Sequence, residues 1–203
     1  MQELIQAVEQ ADSPGNLIAA VRALAAAEIE AGIPTLIAVL GYNNPGAATA
    51  AVQGLIQMGE MSVQPILELL DGYNYGARAY AIRALSAIGD PRALECLIQA
   101  AANDFAPSVR RSAAKGLGSL RWNQLPAEQI ADKQAKAVHT LKQVCHDPDW
   151  SIRYAAVAGL QALAKSGNQQ PILAAFEQML QTEAEIAVRA RVLLAHQQLK
   201  CEV

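Results

Sequence analysis

Hydrophobic positions recur along this chain at helical spacing, and the helices they predict come in pairs. Within YNYGARAYAIRALSAIGD (73–90), Ala77, Ala81, Ala84, Leu85 and Ile88 share one face, while Arg78, Tyr80, Arg83 and Ala87 lie off it. Gly89-Asp90-Pro91 predicts the end of that helix, because Gly accepts a left-handed closing residue and Pro can start the next element. VRRSAAKGLGSL (109–120) and IRYAAVAGLQAL (152–163) overlay this helix without gaps. AATAAVQGLIQMG (47–59) and LIAAVRALAAA (17–27) do so more loosely. Leu24, Leu55, Leu85, Leu117 and Leu160 fall at equivalent positions, separated by 31, 30, 32 and 43 residues. A period near 30 with two helices per unit is the signature of a helical solenoid.

Each second helix follows an apolar first helix, as in IPTLIAVL (33–40), VQPILELL (63–70), ALECLIQAA (93–101) and QPILAAFEQML (170–180). Six pairs are predicted, over 2–29, 33–58, 62–88, 91–120, 127–165 and 168–199, in a single domain spanning 1–203. Asp12-Ser13-Pro14-Gly15, Asn43-Asn44-Pro45-Gly46, Asp147-Pro148-Asp149 and Ser166-Gly167-Asn168 punctuate the turns. RWNQLPAEQIADK (121–133) accounts for the one long spacing. Such an insertion is expected to form a surface loop, either near a working face or as a neutral lengthening of one connection.

Composition supports helices. Hydrophobic residues make up 52% of the chain but aromatics only 4%, whereas sheets favour β-branched and aromatic residues. No apolar run approaches the roughly 20 residues that span a bilayer, and the N-terminus lacks the pattern of a signal peptide. A net charge of -3 argues against a nucleic-acid binder such as a DNA glycosylase. Cys96, Cys145 and Cys201 are odd in number and far apart, which predicts no disulfide framework, no metal site and a reducing, cytoplasmic location. Cys96 and Cys145 are expected to be buried as small hydrophobes.

An acid and an arginine stand six residues apart in three units: Asp104 with Arg110, Asp147 with Arg153, and Glu183 with Arg189. The acid is expected to cap backbone N–H groups in the turn and meet an arginine, building a structural ladder.

The two-helix repeats resemble the short form of the HEAT-repeat superfamily. YGARAYAIRALSAIGDPRAL, VRRSAAKGLGSLRW and DWSIRYAAVAGLQAL further resemble the E/F-type phycobilin lyases, and the length fits their smaller, F-type members. The resemblance implies an all-α, HEAT-like solenoid of about six antiparallel helix pairs wound as a right-handed superhelix. It implies phycocyanobilin as substrate with no permanently bound cofactor, a larger E-type partner, and the phycocyanin α subunit as acceptor. Isomerising relatives carry an Asn-His-Cys-Cys run that this chain lacks, so attachment without isomerisation is expected.

In HEAT-type solenoids the second helices line the concave side, and one lane there reads Arg22, Gln53, Arg83, Lys115, Ala158. Tyr80, Arg83, Arg111, Lys115 and Tyr154 place cations and phenols at its centre. Arg83 and Lys115, one repeat apart, are expected to meet two carboxylates of one tetrapyrrole, whose conjugated face suits aromatic rings. Trp122 and Trp150 are candidates to wall the same pocket. Without that chemistry, the lane is a solvated basic face and Trp150 a packing residue. Asp104, Asp147 and Asp149 could protonate a bilin, against their expected role as caps. His139, His146 and His196 are scattered, with no nucleophile assembled around them, and no Gly-rich phosphate loop is present. The chain therefore reads as a surface that binds and positions. The alternative to a lyase subunit is a non-enzymatic HEAT adaptor gripping a phycobiliprotein or other protein, including a bilin-detaching role in phycobilisome breakdown. Apolar stripes in the first and last helices predict that a partner covers part of the molecule.

Overall fold

A computed structural model describes residues 2–70 and 75–201. It contains twelve α-helices and no strand among the described residues. They pair as α1 (Gln2–Glu9) with α2 (Pro14–Ala26), α3 (Ile33–Val39) with α4 (Pro45–Met58), and α5 (Glu60–Leu70) with α6 (Tyr75–Ile88). Next come α7 (Leu94–Asn103) with α8 (Pro107–Gly118), α9 (Ala127–Val144) with α10 (Trp150–Ala164), and α11 (Gln170–Thr182) with α12 (Ile186–Cys201). These match the six predicted pairs. The start of the 73–90 run, at Tyr73 and Asn74, lies outside the described residues.

The turn residues act as their chemistry predicts. Ser13 Oγ accepts from the Asn16 N–H at 3.2 Å and Asn44 Oδ1 from Ala47 at 3.1 Å, each followed by Pro at the first helical position. Asp149 Oδ1 accepts from the Ser151 N–H at 2.8 Å. Gly89 closes its turn at φ 71°, in the left-handed region that disfavours a side chain.

The chain divides into two compact units, 1–88 and 89–203. In the first, α2, α4 and α6 pack in succession around Leu24, Leu55 and Leu85, none more than 1% exposed. Ala77, Ala81, Ala84 and Ile88 are buried as expected, and Ile82 joins them. Burial of a leucine side chain contributes roughly 1.5–3 kcal/mol, so each of the three equivalent leucines helps to hold its helix in the stack.

In the second unit α8, α10 and α12 pack in the same way around Leu117 and Leu160. Here alanine and glycine allow near contact of backbones. A Cβ on Gly159 would run into the carbonyl oxygen of Ala114, and one on Gly118 would lie 2.6 Å from the Gly159 Cα. Close helix approach is thus present at Gly159, made against Ala114 and Gly118; Gly116 is also buried.

The insertion differs from the expected loop. Trp122–Gln124 form a 3-10 turn, and from Ala127 onward the added residues are wound into α9, which reaches 18 residues. Its start is tied down where the Arg121 N–H donates to the Gly89 carbonyl at 2.8 Å. No described helix is long and apolar enough to cross a membrane.

Candidate functional site

The arginine ladder of the second unit fixes the turns from which the candidate site projects. Arg110 Nη1 donates to the Asp104 carbonyl at 2.7 Å, and its Nε to Asp147 Oδ2 at 2.9 Å. Arg153 repeats this, donating to the Asp147 carbonyl at 2.9 Å and through Nε and Nη2 to both Glu183 oxygens at 2.8 Å. Each arginine therefore takes the backbone carbonyl of its own turn and the carboxylate of the next. Asp147 and Glu183 thus meet the arginine of the preceding unit, which makes the rungs of the expected ladder. The acids also cap as expected: Asp104, Asp147 and Glu183 accept from the N–H groups of Ala106, Asp149 and Glu185. The bidentate bond to Arg153 holds the Glu183 carboxyl below the usual carboxylate range and raises the Arg153 guanidinium. Asp104, Asp147 and Asp149 are thus engaged as turn and cap groups.

With Arg110 and Arg153 committed, the next positions on the same helices face outward. In the second unit Arg111 and Lys115 are exposed on α8, and Trp150 and Tyr154 are exposed on α10. Arg111 Nη1 donates to Ser151 Oγ at 3.1 Å, which draws the α8 cation to the first turn of α10 beside Trp150. The Tyr154 ring lies toward α12, with its centre 5.8 Å from the Arg191 guanidinium carbon. In the first unit Arg22, Gln53 and Arg83 are exposed on α2, α4 and α6, and Tyr80 is half-buried. Exposed polar side chains therefore stand on the second helices of each unit.

Trp122 departs from expectation. It is only 4% exposed, packed in the interior of the second unit, and its indole N–H has no partner. As an accessible wall of a pocket it is corrected to a core residue, because the 3-10 turn of the insertion folds it inward. Cys145 is buried as expected, and burial, reinforced by the Glu183 charge, pushes its thiol up to about 12. Cys96 is only half-buried and Cys201 is exposed.

Two cavities open elsewhere in the second unit. One of about 390 Å³ is lined by Val138, His139, Lys142, Leu163, Asn168 and Pro171, and one of about 270 Å³ by Asn103, Gln143, His146 and Asp147 among others. None of Tyr80, Arg83, Arg111, Lys115, Trp122, Trp150 and Tyr154 lines either, while Asp147 lines the second. His139 and His146 are exposed, and His196 Nε2 lies 3.4 Å from Glu177 Oε1. A constellation that sequence reasoning missed is Arg191 with Gln161 and Gln198. A signal for it existed: Glu183 and Arg189 overlay Asp147 and Arg153, which puts Arg191 in the slot of Ala155.

Repeated helix pairs joined by a turn-to-turn ladder define a HEAT-type repeat protein, and HEAT-repeat family models match residues 63–131 and 137–167. The chain is 57% identical to the phycocyanobilin lyase subunit beta of Nostoc sp. strain PCC 7120, over 97% of this chain and 98% of the relative. It is 53% identical to the phycocyanin alpha phycocyanobilin lyase CpcF of Synechocystis sp. strain PCC 6803, over 95% and 91%. Among solved structures it is similar to the complex of CpcE and CpcF of phycocyanin lyase from Nostoc sp. PCC7120. That match has a TM-score of 0.78 and 57% identity, covering 81% of this chain and 98% of that one. The chain belongs to the phycocyanobilin lyase subunit beta family.

Proposed function

We propose that this chain is the smaller subunit of a heterodimeric lyase that, with a larger E-type subunit, attaches phycocyanobilin to a cysteine of the phycocyanin α subunit. The observation that carries this is the near full-length identity to a phycocyanobilin lyase subunit, alongside the solved complex of CpcE with CpcF. The chemistry of the chain agrees with it. Cys145 is buried with a thiol that stays protonated at neutral pH. In this reading the sulfur nucleophile is the acceptor's cysteine, as for a subunit of a lyase that attaches phycocyanobilin to phycocyanin. Its thiolate bonds to the ethylidene carbon of ring A, the electrons of that double bond take up the proton the thiol gave up, and nothing leaves.

A reaction of that kind is accelerated by orientation and by shielding the conjugated system from side reactions. The second helices supply the contacts: Tyr80 and Arg83 in the first unit, and Arg111, Lys115, Trp150 and Tyr154 in the second. Cations suit the propionates and rings the conjugated face. The absence of the Asn-His-Cys-Cys run supports attachment without isomerisation. The bilin is substrate and no cofactor is held permanently. The compartment is the cytoplasm, where bilin and acceptor meet.

The test separates the exposed lane from the ladder. Arg83→Ala and Lys115→Ala should shift stability by no more than about 0.5 kcal/mol and slow bilin transfer, since each removes a charge-assisted bond of about 1.5–3 kcal/mol. Arg110→Ala and Arg153→Ala should lower the melting temperature first and activity only in consequence. Transfer at parental rates by the Arg83 and Lys115 variants, with acceptor in excess, would refute the contact surface.

A further inference from the structure

Within the second unit the last repeat breaks a pattern of small residues, Ser112 on α8 and Ala155 on α10. In the register set by the ladder, Arg191 of α12 stands where α10 has Ala155, which is fully buried. Arg191 is half-buried, and its guanidinium meets the neutral side chains of Gln161 and Tyr154. Nη2 donates to Gln161 Oε1 at 2.5 Å, and Gln161 Nε2 donates to Gln198 Oε1 at 2.6 Å. Because arginine has no acceptor, Gln161 must present its carbonyl to it, which fixes the amide of an otherwise buried side chain. Nη1 is closed off from water and bonded to nothing. No acid among the described residues pairs with this arginine.

The contrast with Arg110 and Arg153 is direct. Both are similarly sheltered, and both are given backbone carbonyls and a carboxylate. Arg191 instead is given an oriented amide and, at 5.8 Å, the partly exposed ring of Tyr154. A guanidinium lacking its anion, with a free donor and an aromatic face beside it, is suited to a carboxylate carried on a flat conjugated body.

We propose that Arg191, oriented by Gln161 and flanked by Tyr154, is the anchor for one propionate carboxylate of the tetrapyrrole; this rests on the lyase reading. The Tyr154 ring turns outward to admit the ligand, the propionate takes the free Nη1, and the ring settles against a pyrrole.

The complex with the E-type subunit is titrated with phycocyanobilin and with its propionate dimethyl ester, followed by bilin absorbance. The parent complex should prefer the free acid. Arg191→Gln should weaken binding of the free acid about tenfold and narrow that preference by the same factor. Arg191→Lys should restore part of both. Arg191→Gln should leave the melting temperature unchanged or raise it, because it removes a cation without a counter-ion. A glutamine variant that keeps the full preference for the free acid would overturn the anchor, as would a parent complex that binds acid and ester alike. Weaker association of the two chains with the preference intact would assign Arg191 to the subunit interface and overturn it equally. A parent complex that binds neither form would overturn the lyase reading itself.

Discussion

Replacing Arg153 with alanine should unfold the second unit more readily than any exposed substitution on the same helix. The guanidinium makes two bonds of 2.8 Å to Glu183 and two to the carbonyls of Asp147 and Pro148, at 2.9 and 3.2 Å. The Glu183 side chain is 7% exposed, so truncation leaves a carboxylate with little access to water. Breaking one partner of a buried pair costs about 3–5 kcal/mol. Glu183 retains the N–H of Glu185 at 2.9 Å, which places the expected loss at the lower end, about 3 kcal/mol. For a chain of this length that corresponds to roughly 6–12 °C in melting temperature. Urea unfolding of parent, Arg153→Ala, Glu183→Gln and the double variant measures it, and the cycle isolates the pair. The pH dependence gives a second check. Glu183 is lowered from its ordinary value of 4.5, so its stabilising contribution is complete above that value and disappears as pH falls through the folded value. The gap between parent and Arg153→Ala should therefore close in acid. A loss below about 1 kcal/mol at neutral pH, or a gap that widens below pH 4.5, would refute the ladder as a structural device.

Other outcomes follow from the packing and the thiols. Gly159→Ala should destabilise by about 1–3 kcal/mol, because its Cβ meets the fixed carbonyl of Ala114. Gly15→Ala, with nothing within 4 Å of the added atom, should be near neutral; equal effects in the two melts would contradict the close crossing. Under native conditions Cys201 should react rapidly with a thiol reagent at pH 8, while Cys145, pushed up to about 12, should react only after unfolding. Fast labelling of Cys145 would show that its shell opens. Light scattering on the co-expressed pair should find a heterodimer, and two independent monomers at micromolar concentration would contradict a constitutive partner.

Most of the fold was legible in the chain because its determinants are local and repeated. The equivalent leucines mark the core wherever they occur, and the Ser, Asn and Asp caps mark the helix starts. The ladder was legible in its residues but not in its connectivity. Spacing along one turn cannot show that Arg110 reaches Asp147, 37 residues away. Trp122 was misjudged for a similar reason: whether an insertion projects or folds inward depends on tertiary packing, and here a 3-10 turn tucks the indole inside. Arg111, Lys115, Trp150 and Tyr154 were legible as exposed because they flank buried positions at helical spacing. Arg191 was hidden by its helix, whose apolar residues obscure the register until Glu183 and Arg189 are set against Asp147 and Arg153.

The central claim is that this chain is a required part of a bilin-attaching enzyme, and reconstitution tests it most directly. Phycocyanin α subunit and phycocyanobilin are incubated with the E-type subunit, with this chain, or with both, and covalent chromophore is read on a denaturing gel by zinc-enhanced fluorescence. The account predicts a thioether-linked, unisomerised bilin on the acceptor cysteine only when both chains are present. Attachment of the same product at the same rate without this chain would contradict it.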